Sequence, residues 1–127
     1  METASHRYIL NAIRRTPNRI PLRQWEKIES LIIPDFARIV TQQIYLKLGE
    51  TNPRIYDLDH IYPLSAFSKC LREEVLTVEE FLSVFHPDNY QWLLHKTNLR
   101  KSATHNKIEF LAWTKSKANW VNATLLK

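Results

Sequence analysis

Glycine is almost missing from this sequence: Gly49 is the only one in 127 residues. A chain this poor in glycine cannot build the glycine-rich loops that cradle nucleotide phosphates, so Rossmann and P-loop architectures are excluded. Cysteine is equally scarce. Cys70 stands alone, which removes both an internal disulfide and a cysteine-rich zinc site and makes a reducing, cytoplasmic setting the default. Within Phe67-Ser68-Lys69-Cys70-Leu71 it reads as a small buried apolar residue. No run approaches the roughly eighteen consecutive apolar residues that argue for a membrane span. Met1 to Arg7 lack the basic-then-apolar pattern of a secretory signal. Internal repeats and low-complexity tracts are also wanting.

What remains is globular composition, 44% hydrophobic and 24% charged, enough for one core and one domain over residues 1–127. The formal net charge is +5, a sign that favours a polyanionic partner. Its distribution says more than its sum. Arg7, Arg14, Arg15, Arg19, Arg23 and Lys27 crowd the N-terminal side, and Lys96, Arg100, Lys101 and Lys107 form a second basic stretch. Glu73, Glu74, Glu79, Glu80 and Asp88 make the middle acidic. Solvated helix faces would show the same charges.

Residues 1–52 read as three helices. Ser5 is placed to cap the first, which carries Tyr8, Ile9, Ala12 and Ile13 at helical spacing and ends before Pro17. Pro21 suits the start of the second, with Leu22, Trp25, Ile28, Leu31 and Ile32 as its apolar face. Pro34 separates it from the third, where Phe36, Ile39, Val40, Ile44 and Leu48 form a stripe closing at Gly49. The period then changes. Ile55 to Ile61 alternates and carries branched and aromatic residues, which predicts a short strand. Two helical pieces are expected around 65–75 and 77–85, the second with Thr77 and Glu80 as a capping box. Asn89 to Leu93 reads as a second short strand, followed by a helix from Thr97 or Asn98 and another over 106–120. His86 and His105 read as loop or surface residues.

Three phrases carry chemistry: Asp59-His60-Ile61-Tyr62-Pro63, Asn89-Tyr90-Gln91-Trp92-Leu93 and Asn98-Leu99-Arg100-Lys101-Ser102. An acidic residue before a histidine on a strand, an asparagine opening the next segment, a second asparagine nine positions on and a lysine three beyond that resemble the HNH (ββα-metal) endonuclease family in its H-N-N variant. The resemblance covers residues 57–102. Two departures stand out. Tyr90 takes a place where leucine is commoner, a mild change at an apolar position. The His60-to-Asn89 interval is long, so residues 66–86 read as a helical insertion in the connecting loop. The fold class expected is α+β and mostly helical: a helical region over 1–52, a ββα-metal core over 53–105, and a helical extension over 106–127.

The resemblance implies a hydrolase that cuts DNA, double-stranded by expectation, with His60 as general base, Asn89 holding the loop that orients it, and Asp59 and Asn98 as ligands of one divalent cation, Mg²⁺ or Mn²⁺. The residue chemistry agrees: phosphodiester hydrolysis needs a base near neutral pKa and a cation at the developing charge, and carboxylate and amide oxygens are hard ligands suited to such ions. Asp57, His95 and Lys101 are auxiliary candidates. Arg14, Arg15, Arg19, Lys96, Arg100, Lys101 and Lys107 are candidate DNA contacts. The alternative is a nucleic-acid-binding module that keeps the scaffold without useful turnover. Compact proteins of this family are common in phages, which makes a phage origin an expectation by analogy. Whether residues 1–52 grip DNA or recruit a partner protein is open at this stage.

Overall fold

A computed structural model describes residues 4–52, 54–100 and 105–127, with residues 4, 5 and 98–100 described by their backbone. The described chain is mostly helical around one small antiparallel sheet. Its helices are α1 (Ala4–Arg15), α2 (Leu22–Leu31), α3 (Phe36–Leu48), α4 (Leu64–Arg72), α5 (Val78–Phe81), α6 (His95–Arg100), α7 (Lys107–Ser116) and α8 (Ala118–Thr124), and its strands are β1 (Tyr56–His60) and β2 (Tyr90–Leu94). Proline sets several boundaries as expected. Pro17 lies in a 3₁₀ turn after α1, Pro21 is the N-cap of α2, and Pro63 is the N-cap of α4. Gly49 takes φ +69 at the end of α3, a left-handed value that a side chain resists. The capping box forms, with Glu80 N–H donating to Thr77 and Thr77 N–H donating to the Glu80 carboxylate.

Several expectations need correction. α1 already includes Ala4, so Ser5 lies inside the helix rather than at its cap. Leu22 is 69% exposed and does not join the buried face of α2. The expected C-terminal helix is two, α7 and α8, because the Lys117 N–H turns back to Thr114 and Lys115 carbonyls in a tighter turn. Residues 66–86 form helical segments between β1 and β2 as expected; Phe67, Leu71, Phe81, Leu82 and Val84 are all but fully buried, so this stretch supplies the middle of the core. Each such side chain contributes roughly 1.5–3 kcal/mol of transfer free energy. Phe67 meets Phe110 of α7 edge to face at 4.8 Å between centroids.

The N-terminal helices belong to the same core. Ile9 and Ala12 of α1, Ile28 of α2 and Val40 and Ile44 of α3 are buried with it. The C-terminus closes the body: Ile33 N–H donates to Leu125 O, and Lys127 N–H donates to Leu31 O, each at 2.8 Å. No described helix is long and apolar enough to cross a membrane.

Candidate functional site

The two strands set the site by their register. β1 and β2 pair antiparallel with His60 opposite Tyr90, Asp59 opposite Gln91 and Leu58 opposite Trp92. Side chains alternate across a strand. Leu58 and His60 are buried, while Asp57 and Asp59 are partly exposed on the other face. Consecutive placement in sequence thus sends the Asp59 carboxylate and the His60 imidazole to opposite faces of the ribbon.

Asn89 ends the 3₁₀ turn Pro87–Asn89 that leads into β2. It is completely buried. Its amide is engaged at both ends: Oδ1 accepts from Tyr62 N–H at 2.7 Å, and Nδ2 donates to Tyr62 O and Val84 O, each at 3.1 Å. The Asn89 backbone carbonyl accepts from Ile61 N–H at 2.7 Å. The segment that follows His60 is therefore fixed to the segment that opens β2. Asp88 beside it accepts charged bonds from Lys47 of α3 and Lys117 between α7 and α8, so the turn is anchored on two sides.

His60 is 5% exposed, and both of its ring nitrogens meet tyrosine hydroxyls. Tyr8 of α1 lies 2.8 Å from Nδ1, and Tyr90 lies 3.1 Å from Nε2. Burial first, then the nearby Asp59 charge, pushes the Tyr8 phenol up to about 12, against a smaller opposing pull from Arg15. Burial raises Tyr90 well above the usual tyrosine value. Both phenols stay protonated at neutral pH. Composition and spacing gave no warning of this pair. Tyr90 looked like an apolar substitution, yet its hydroxyl reaches the histidine across the strand; extending the antiparallel register from Asn89 would have found it. Tyr8 looked like one more core residue of an amphipathic helix, and no local pattern links it to a histidine fifty-two positions away.

On the other face, α6 lies against both strands. His95 opens it, and its Nδ1 sits 2.9 Å from Asp57 Oδ2. Gln91 Nε2 donates to Asp59 Oδ2 at 3.3 Å. The α6 backbone carries Asn98 and Arg100; their side chains, and Lys101 altogether, lie outside the described residues. Among the described residues no three His, Cys, Asp or Glu side chains converge as a metal cluster. Arg14, Arg15 and Arg19 are exposed around the end of α1, and Lys96 and Lys107 are exposed near α6 and α7. His105 is exposed as expected, and His86 lies in a bend as expected but is half-buried. Its ring packs 4.6 Å from that of Trp120, and Nδ1 accepts the Asp88 N–H at 2.9 Å.

Comparisons with models of known families, with characterised proteins and with solved structures return no match.

Proposed function

We propose that this chain is a metal-dependent endonuclease that hydrolyses phosphodiester bonds of DNA. One observation carries the reading: a fully buried asparagine, Asn89, spends its whole amide on tying the segment after His60 to the start of β2. Such a clamp holds the end of β1, where Asp59 and His60 stand, and catalysis needs its groups held in place. The order in space supports it as well, since α6 with Asn98 follows β2 directly and returns over the sheet.

The donor set fits a hard divalent cation, Mg²⁺ or Mn²⁺, through the Asp59 carboxylate and the Asn98 amide, with water and phosphate completing the shell. When bound, the cation supplies charge stabilisation at the phosphate and leaving oxygens. The remaining work falls to the chain. His60 takes a proton from the attacking water through a ring nitrogen. Asn89 keeps the His60 segment from drifting. The arginines around the end of α1 and the lysines near α6 and α7 attract the DNA backbone.

A second reading, a nucleic-acid-binding module without useful turnover, draws on the occupied state of His60, whose two ring nitrogens already have partners. Supercoiled plasmid incubated with the protein and a panel of divalent metals separates the two. The nuclease converts it to open circle or linear DNA, and a chelator stops the conversion. A binding module retards the plasmid in a gel and leaves it supercoiled with every metal.

A further inference from the structure

The two tyrosines on His60 are not equivalent. Tyr90 is buried on the core side of the sheet, 3% exposed, and its hydroxyl is bonded to Nε2. A buried hydroxyl proton without an acceptor is costly, so Tyr90 donates to Nε2, and the His60 proton resides on Nδ1. Nδ1–H then donates to Tyr8. In this arrangement the imidazole offers no lone pair to a water molecule. Tyr8 is half-buried, stands on α1, and lies within the field of Asp59 and Arg15, which are both reached by solvent. Tyr8 is thus the side of the histidine that faces outward.

We propose that Tyr8 is a gate on His60. Its hydroxyl and ring seal the outer nitrogen in the resting protein, and His60 becomes available when the Tyr8 side chain swings away and the imidazole loses its Nδ1 proton to water and takes one at Nε2, the Tyr90 hydroxyl turning to accept it. The movement is a rotation of one side chain and not detachment of α1, because Ile9 and Ala12, one and four residues after Tyr8, are completely buried and hold the helix in place. Sealing of His60 is a property of the fold itself. Its consequence for cleavage rests on the nuclease reading above.

Chemical modification of histidine tests the gate without relying on activity. Diethyl pyrocarbonate acylates accessible neutral imidazoles near pH 7, and peptide mass mapping reports each histidine separately. In the parent protein His60 is expected to react at least about tenfold more slowly than exposed His105, since a sealed group reacts only through local opening. Tyr8→Ala is expected to raise the His60 rate by about tenfold while the packed His86 stays slow, as local rather than global opening requires. A parent His60 as reactive as His105, or a folded Tyr8→Ala protein with His60 unchanged, overturns the gate. If His86 also speeds up, the alanine variant has loosened as a whole, and Tyr8→Phe decides. That variant keeps the ring but removes the acceptor that holds the proton on Nδ1, so the imidazole can shift its proton to Nε2 and present the Nδ1 lone pair; a His60 rate several times that of the parent is expected, and no change overturns the proposal. Plasmid nicking measured on the same samples should rise in Tyr8→Phe. Slower nicking with a freely modified His60 overturns the gate and makes Tyr8 a positioning residue instead. Absence of nicking in every protein with every metal counts against the nuclease reading, and the modification rates still decide the gate.

Discussion

Asn89 and Tyr62 bind one another in both directions: the Asn89 amide nitrogen donates to the Tyr62 carbonyl at 3.1 Å while its oxygen accepts the Tyr62 amide proton at 2.7 Å. The side chain imitates the pairing of one more strand residue, just beyond the last pair of the sheet, His60 with Tyr90. The same buried asparagine that resembles a nuclease motif residue is therefore a structural tie in its own right.

Asn89→Ala should cost stability as well as any activity. It leaves the Tyr62 N–H, the Tyr62 carbonyl and the Val84 carbonyl short of a partner around a side chain that is itself completely buried. Each orphaned group costs about 1–3 kcal/mol, so urea unfolding should reveal a loss of at least about 3 kcal/mol. Asn89→Asp should do no better, because a carboxylate would face two carbonyl oxygens. A loss below about 1 kcal/mol in either variant would mean the tie is dispensable.

His60→Ala should abolish plasmid nicking by about 10²–10⁴-fold, the range for loss of a general base. Binding of duplex DNA, measured on the same preparation, should change little. Nicking near the parent rate would remove His60 from the chemistry.

Asp59→Ala and Asn98→Ala should each weaken binding of Mn²⁺ in a calorimetric titration, because they are proposed to share one ion. Asp57→Ala should weaken it less, since the Asp57 carboxylate is already held by His95 at 2.9 Å. If the Asp59 and Asn98 variants both take up the ion as the parent does, the cation lies elsewhere.

His86 gives the fold a pH dependence. Burial, then Lys117 and Lys47 nearby, lowers its pKa to about 4, and Nδ1 is committed as an acceptor from Asp88 N–H. The unfolded chain protonates this histidine near 6.5, so between about pH 6.5 and pH 4 the unfolded state binds more protons than the folded one. Stability from this group is complete above the unfolded pKa and falls as the pH drops towards 4. A loss of about 1–2 kcal/mol between pH 7 and pH 4.5 is expected, discounted because water reaches the ring edge and the lysines. His86→Asn removes the titration, so in urea unfolding its pH slope over this window should be shallower than that of the parent. Equal slopes would assign the acid sensitivity to other groups.

Much of the helical frame could be read from local signals, because capping and proline geometry act over three or four residues. Thr77 and Glu80 form the box their spacing announces, and Pro21 and Gly49 sit where the backbone needs them. The two short strands were legible from the alternation and branched residues of their segments. The environment of His60 was not, because it depends on a helix and a strand meeting across fifty-two and thirty positions. That His86, a loop residue as expected, is half-buried was hidden for the same reason. A histidine before proline suggests a turn, and only the packing of Trp113 and Trp120 around it turns the site apolar.

The last prediction concerns the basic surface around the end of α1. Arg14 and Arg15 end α1 and Arg19 follows it, all three exposed, while Ile9, Ala12 and Ile20 bury the opposite side. Arg19 is held through its backbone: its N–H donates to Thr16 O at 2.9 Å, and its carbonyl accepts from Arg72 at 2.6 Å. Arg15 also acts electrostatically on the phenol of Tyr8, which stands on the same helix and bonds His60. DNA running past His60 would therefore cross these guanidinium groups. Affinity for duplex DNA falls with salt by a slope of about 0.9 per phosphate neutralised. Replacing Arg14, Arg15 and Arg19 together by glutamine should make the slope of log K against log salt shallower by about two to three units. The substitutions touch no buried atom, so thermal stability should stay close to that of the parent. An unchanged slope would move the DNA to the other basic stretch, where Lys96 and Lys107 stand exposed, and a parallel Lys96→Gln, Lys107→Gln variant would then show the shallower slope instead.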